Sequence, residues 1–251
     1  MAREVVVHID RERATIALNR PEKLNALDLA LVASFEEAAA EVAADSRVAI
    51  VVVRGNGRSF CAGLDLDMFA AEGMSMDFYR HQERGFRLLE TMDKTVIAAV
   101  HGHCLGGGVQ LAAACDVRVA STNAVIGLPA VDEGLFPGMA PYRLPRLIGK
   151  GRAASLILTG RSLTAEEAER IGLIDHVLDA EDFDAQLAEL VDAYARAPRE
   201  AAAASKRLMA LSYDAPFAEA LEASEELLAG CLRAPEVARA RAAWPQRATR
   251  R

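Results

Sequence analysis

The chain has 251 residues, of which 52% are hydrophobic, and carries a formal net charge of −7. That length suffices for one large domain or two small ones with an ample core, while the acidic balance argues against a general nucleic-acid binder, which is usually basic. No apolar run reaches the roughly 18 residues of a bilayer span.

The first residues enter a strand-like run, Val5-Val-Val-His-Ile9, with no signal-peptide layout. A soluble cytoplasmic protein with no nucleic-acid or membrane partner is expected. Further strands are expected at 14–19, 48–54, 96–101 and 116–120, the first at 4–9, with Pro21 and the Gly55-Asn-Gly57 turn as punctuation. Asp28 caps a predicted helix over 29–44, where Val32, Phe35, Ala39 and Val42 recur at helical spacing. A second helix is predicted over 75–91. Thr164-Ala-Glu-Glu167 reads as a capping box, with Gly172 as the stop of its helix. Pro198, Pro216 and Pro235 fall where helices should begin, and Phe217, Leu221, Ser224 and Leu228 mark one helical face. The second half thus reads as nearly all helix. A helical tail from about residue 195 is too thin to bury much alone, so it must pack on the core or on another subunit.

Within Val96 to Asp116 an apolar strand runs into Gly106-Gly107-Gly108, and the glycines run straight into an apolar helical segment. Such a junction brings bare backbone N–H groups to the mouth of a site, with the positive end of a helix behind them. A second segment, Ser59-Phe-Cys-Ala-Gly-Leu-Asp-Leu66, follows the strand 48–54. One N–H from each segment can converge on a single oxygen, and such donors are each worth about 3–4 kcal/mol where charge develops. The glycine run fits neither a dinucleotide fingerprint nor a phosphate loop. An anionic ligand needs a local basic patch. Arg20, Lys23, Arg58 and the cluster Arg247, Arg250 and Arg251 are the candidates. Cys61, Cys104, Cys115 and Cys231 form no CxxC pair, and most are expected as small buried apolar residues. His101-Gly-His103 lacks a visible third ligand, so no metal site is expected.

Together these segments resemble the crotonase family, also called the enoyl-CoA hydratase/isomerase superfamily, over almost the whole chain. The resemblance is carried by Asn19-Arg-Pro-Glu-Lys-Leu-Asn-Ala-Leu27, Phe60-Cys-Ala-Gly-Leu-Asp-Leu66, Gly102 through Asp116, Gly134-Leu-Phe-Pro-Gly138, and Leu158-Thr-Gly-Arg-Ser-Leu-Thr-Ala-Glu-Glu-Ala168 with Gly172-Leu173. It implies an α/β fold: a spiral of β-β-α units over 1–195, then a helical region over 196–251 that builds a homotrimer or a dimer of trimers. It also implies an acyl-CoA ligand, with coenzyme A as part of the substrate and no separate cofactor. The thioester oxygen would sit between the backbone N–H groups of Leu64 and Gly107, which stabilise an enolate that different members use for different reactions. Lys23, Leu24, Ala26, Ala62 and Gly63 match positions that line the substrate. So do Asp65, Leu66, Gly106 and Ala130.

The sequence departs from the family where reaction type is decided. A hydratase holds and activates one water with two glutamates, and the matching positions here are Gln110 and Ala130. Glutamine can hold a water but cannot take its proton near neutral pH. Alanine does neither, so hydration of a crotonyl-type thioester is expected to be weak or absent. The position matching an isomerase aspartate is Gly138, and Asp67 stands where many relatives carry a lysine near the adenine. Asp132, Glu133 and Glu83, with His81 beside it, are the candidate substitutes for the lost bases, the alternative being that they are surface charges. Two readings follow. One is an acyl-CoA lyase or isomerase working by double-bond migration, hydrolysis or decarboxylation. The other is a catalytically silent acyl-CoA-binding protein.

Overall fold

The computed structural model describes residues 3–248. In chain order the elements are β1 (Val5–Asp10), β2 (Arg13–Leu18), α1 (Leu29–Ala44), β3 (Ile50–Gly55), α2 (Leu66–Glu72), α3 (Met76–Thr91), β4 (Thr95–Val100), β5 (His103–Leu105), α4 (Gly107–Ala113), β6 (Val117–Ser121), β7 (Val125–Gly127), α5 (Ala140–Ile148), α6 (Lys150–Thr159), β8 (Ser162–Thr164), α7 (Ala165–Arg170), β9 (His176–Leu178), α8 (Phe183–Ala195), α9 (Arg199–Leu211), α10 (Phe217–Arg233) and α11 (Pro235–Ala248).

A six-stranded sheet runs in the order β1-β2-β3-β4-β6-β9. Only β1 and β2 pair antiparallel, Val5 facing Leu18. The later pairings are parallel, Ile50 lying beside Arg13 and Thr95 beside Ile50. Both faces of the central strands are covered, which is why they read as near-continuous apolar runs. Val51, Val53, Val96 and Ala98 face the main core beneath α1 and α3. Ile50, Ile97, Ala99 and Val119 face Phe183, Leu187 and Val191 of α8. The Asp28 side chain accepts from the Leu31 amide at 2.8 Å and so starts α1. Phe35 on α1 meets Phe86 on α3 edge to face, with ring centroids 5.9 Å apart.

A smaller sheet, β5-β7-β8, forms a second layer. Two parallel bridges, Cys61 with Cys104 and Leu27 with Leu64, extend it. Each turn of the chain therefore leaves one strand in the large sheet and one short extended piece in the second layer before its helices. β3 is followed by Cys61–Leu64, β4 by β5, and β6 by β7. This is the expected spiral of β-β-α units. One expectation needs correction: the second half of the chain is not helix alone, because β7, β8 and β9 lie in it. Three residues are too few to show the alternation that marks a strand.

The capping box at Thr164 and Glu167 is present in full, and Pro198, Pro216 and Pro235 stand at the starts of α9, α10 and α11. α9 docks on the core through its one buried residue, Lys206, with Arg199 bonding Ser46 O and Arg207 pairing with Asp93 at the surface. Lys206 Nζ donates to Leu89 O at 2.7 Å, Lys94 O at 3.0 Å and the Asp116 carboxylate at 2.8 Å. By contrast α10 buries no residue. Among the described residues no helix is long and apolar enough to cross a membrane.

Candidate active site

Parallel pairing in the second layer sets the floor of the site. The Cys61 amide donates to His103 O at 2.9 Å, and the Leu105 amide donates to Cys61 O at 2.9 Å. With Cys61 beside Cys104, residues an equal number of steps further on come level: Gly63 with Gly106, then Leu64 with Gly107. The two glycines touch, since a Cβ on Gly63 would stand 2.8 Å from Leu105 O and one on Gly106 would stand 3.8 Å from the Gly63 Cα. Both have left-handed backbones, at φ +91° and +50°, which favour glycine. The next two glycines are small for a different reason. A Cβ on Gly107 would lie 2.5 Å from Leu27 Cδ1, and one on Gly108 would lie 2.4 Å from Cys61 O. Neither the Leu64 amide nor the Gly107 amide donates to another group among the described residues.

Leu64 and Gly107 border one cavity of about 180 Å³. Its walls are mostly apolar, built by Met74, Met76 and Phe78 on one side and Leu135, Phe136 and Pro137 on the other. Gly106, Gln110 and Ala130 also line it, so both positions that matched the hydratase glutamates face the same space. Gln110, on the first turns of α4, is only 4% exposed, and its Oε1 has no hydrogen-bond partner. Tyr79 and Gln82 of α3 supply the remaining polar side chains of the lining. Burial, with the nearby Glu83 charge, raises the Tyr79 hydroxyl above its ordinary value and keeps it protonated.

The three carboxylates expected as substitute bases stand outside this cavity. Asp132 and Glu133 are exposed, and the Asp132 carboxylate turns toward Gly160, where a Cβ would lie 3.0 Å from Oδ2. Glu83 points to α5 and accepts from Arg143 Nη1 at 2.8 Å. His81 faces α1, its Nδ1 being 2.6 Å from Glu36 Oε2. Gln82, Tyr79 and the two methionines were not anticipated as site residues. A signal for Gln82 did exist: it lies on the buried stripe Phe78, Gln82, Phe86 and Leu89 of α3, a polar residue on an otherwise apolar helical face.

Beside the cavity, the loop before α1 is held against the Cys61–Leu64 segment. The Ala62 amide donates to Leu24 O at 3.0 Å, and the Leu27 amide donates to Gly63 O at 2.6 Å. Asn25, fully buried and at φ +56°, binds Ser59 O at 2.7 Å and Asn56 O at 3.0 Å. Asp65 is buried and engaged within the protein: it caps α2 at the Asp67 and Met68 amides and accepts from Arg20 Nη2 at 3.0 Å. Burial alone would raise its carboxyl, but the Met68 amide and Arg20 outweigh this and hold it below the usual carboxylate range. Arg20 is in turn spread over Asp65, Asp28 and Ala26 O. Lys23 pairs with Asp67 on the surface, while Leu66 and Arg58 are exposed. The side chains of the C-terminal cluster Arg247, Arg250 and Arg251 lie outside what is described.

Cys61, Cys104 and Cys115 are fully enclosed. Burial pushes the Cys61 and Cys115 thiols up to about 12 and the Cys104 thiol well above its ordinary value. None is therefore a nucleophile near neutral pH. His101 Nε2 lies 3.1 Å from Gly57 O, while its Nδ1 is buried without a partner among the described residues.

Residues 10–244 match the family model described as Enoyl-CoA hydratase/isomerase. The chain is 38% identical to the crotonyl-CoA hydratase of Syntrophomonas wolfei over 185 residues, which is 71% of this chain and 70% of that protein. It superposes on the crystal structure of enoyl-CoA hydratase from Thermoplasma volcanium with a TM-score of 0.90 at 31% identity, covering 97% of this chain and 98% of the other. A Thermobifida fusca structure in complex with acetoacetyl-CoA gives 0.83 at 30% identity, with 92% and 95% covered. A spiral of this kind, matched over nearly its whole length in sequence and in backbone, places the chain in the enoyl-CoA hydratase/isomerase family, the crotonase superfamily.

Proposed function

We propose that the protein binds an acyl-CoA thioester, holds its carbonyl oxygen between the Leu64 and Gly107 amides, and stabilises the enolate formed there, without performing standard hydration. One observation carries this reading. Two main-chain donors, brought level by the Cys61–Cys104 register, open on one apolar cavity with no other acceptor taken among the described residues. Donors fixed before charge develops need no reorganisation when it does. The Thermobifida fusca neighbour in complex with acetoacetyl-CoA supports the ligand class. Coenzyme A is part of that substrate, and no cofactor or metal has a role in the reading.

The lining carries Tyr79, Gln82 and Gln110 but no carboxylate. Hydration needs a group that takes a proton from water, and neither Gln110 nor Ala130 can do so. Double-bond migration and hydrolysis, the other candidate reactions, also need a group that takes a proton, whereas loss of CO2 leaves the electron pair on the α carbon without any protein base. The same absence of a carboxylate favours the second reading, a silent acyl-CoA binder. Assembly as a homotrimer or a dimer of trimers is supported by the apolar face that α10 leaves uncovered.

The test is calorimetry with butyryl-CoA and its thioether analogue S-butyl-CoA, which lacks the carbonyl oxygen. The thioether is expected to bind at least tenfold more weakly, and equal affinities would exclude the two-amide site. Product analysis by mass spectrometry over a panel of acyl-CoAs separates the readings: binding without turnover favours the silent binder, and any turnover above background excludes it.

A further inference from the structure

The apolar cavity beside Leu64 and Gly107 has an outer edge and an inner end. Met76 and Phe136, both exposed, mark the outer edge, and the buried Phe78, Gln82 and Gln110 mark the inner end. On α3, Tyr79 stands three residues before Gln82 and four before Glu83, so helical spacing puts all three on one side of the helix. Its ring closes the inner end. A Cβ on Gly138 would stand 3.3 Å from Tyr79 Cε2 and 3.1 Å from Gln110 Oε1, so the ring, the Gly138 backbone and the Gln110 carboxamide come together there. Gly138 has a left-handed backbone, at φ +48°, and its lack of a side chain lets the ring approach this closely.

Behind the ring lies a second, larger space of about 400 Å³, walled by Glu83, Arg87, Glu90 and Arg143 together with Met139 and Tyr142. Among the described residues Tyr79 alone borders both spaces. On either side of it the boundary passes between consecutive residues. Gln82 faces the cavity and Glu83 the outer chamber, and Gly138 faces the cavity and Met139 the chamber. The charges of the chamber are paired. Arg143 donates through Nη1 to Glu83 at 2.8 Å and through Nε to Glu90 at 2.6 Å, and Arg87 Nη1 lies 2.9 Å from Glu90 Oε2. The Tyr79 hydroxyl feels this charged side. Burial and then Glu83 raise it above its ordinary value, against the opposing pull of Arg143.

We propose that the Tyr79 ring is the specificity-determining wall of the acyl cavity, ending the space for the acyl chain at about six carbons and keeping that space apart from the charged chamber. Volume sets the length. The cavity measures about 180 Å³, and an apolar cavity of about 150 Å³ takes up one benzene molecule. A longer chain must displace the ring or turn back into water. The inference rests on the acyl-CoA reading of the cavity, and it names the acyl length within that reading and the residue that fixes it.

The test is calorimetry with butyryl-, hexanoyl-, octanoyl- and decanoyl-CoA. Each dissociation constant is read relative to that of butyryl-CoA, because a general loss of packing weakens all four ligands alike. In the wild-type protein each added methylene should tighten binding about fourfold as far as hexanoyl-CoA, and the two longer chains should bind no tighter than hexanoyl-CoA. Tyr79→Ala joins the two spaces, and decanoyl-CoA should then bind at least about tenfold tighter than hexanoyl-CoA, or about twofold per methylene. That gain is smaller than inside the cavity because the chamber walls are charged. Tyr79→Phe keeps the ring and should keep the wild-type break at hexanoyl-CoA, which separates ring volume from the hydroxyl. A wild-type affinity that climbs steadily to decanoyl-CoA overturns the proposal whatever the variants do, and so does a break that stays at hexanoyl-CoA in Tyr79→Ala. In both cases the acyl-CoA reading stands. Failure of all four thioesters to bind the wild-type protein overturns the two together.

Discussion

At Gln110 and Ala130 the chemistry of the site turns on what is missing from two side chains whose backbones are in place. Both border the cavity, so restoring carboxylates there should restore a proton acceptor. Gln110→Glu combined with Ala130→Glu is expected to raise crotonyl-CoA hydration by about a hundredfold or more over the wild-type protein, the usual scale of general acid–base catalysis. Loss of the ultraviolet absorbance of the conjugated enoyl thioester reads this directly, and a fast wild-type rate would refute the assignment. The thiols give a second prediction. Cys61 and Cys115 are pushed from 9.0 to about 12 by burial. Below pH 9 both folded and unfolded chains keep these protons, and the buried thiols contribute fully. Between 9 and 12 only the unfolded chain releases them, so stability falls by about 1.4 kcal/mol per pH unit for each thiol. Urea midpoints from pH 8 to 10.5 should fall less steeply for Cys115→Ala than for wild type. In the native protein, a thiol reagent at pH 7.5 should label Cys231 alone.

Among the elements, those that carry long periodic patterns were legible beforehand: β1 to β4, β6, α1, α3 and α7 lie where spacing and caps put them. α2 was not foreseen because none of its residues is buried, so it has no apolar stripe to read. The site divides the same way. The glycines, Gln110 and Ala130 were legible because backbone approach and motif order constrain them. Gln82 was passed over for its charged neighbours, although Glu83 acts on α5 rather than on the cavity. The docking of α9 was also invisible in sequence, since nothing marks Lys206 as different from a solvated lysine. Its three acceptors lie on the α3 end, the following turn and Asp116. Lys206→Met removes the donor to two carbonyls and leaves the half-buried Asp116 carboxylate without its cation, held only by the Val96 amide among the described residues, and should cost about 3 kcal/mol in denaturant unfolding. Lys206→Arg tests charge alone, and a loss under about 1 kcal/mol for the methionine variant would show that α9 is held by other contacts.

For the molecule as a whole, the C-terminal helices divide into a docked part and an unfinished part. Phe217 is 81% exposed, and Leu221, Leu228 and Leu232 share its side of α10. Monomers seldom leave so continuous an apolar stripe in water. Light scattering on the eluting protein is expected to give three or six copies, and Phe217→Glu with Leu228→Glu should shift it to smaller species. A wild-type protein that elutes as a monomer at micromolar concentration would remove the assembly from the proposal.

The paired donors at Leu64 and Gly107 belong to the peptide bond, whereas Met74, Met76, Leu135 and Phe136 line the cavity with their side chains. Point changes in the genetic code rewrite the second group freely and reach the first only by displacing the chain, as a methyl added at Gly108 would against Cys61 O. Descendants of such a sequence can exchange one acyl group for another while inheriting the same electrophilic centre. Selection for a new substrate therefore has the rim to work on, and the hearth is passed down intact.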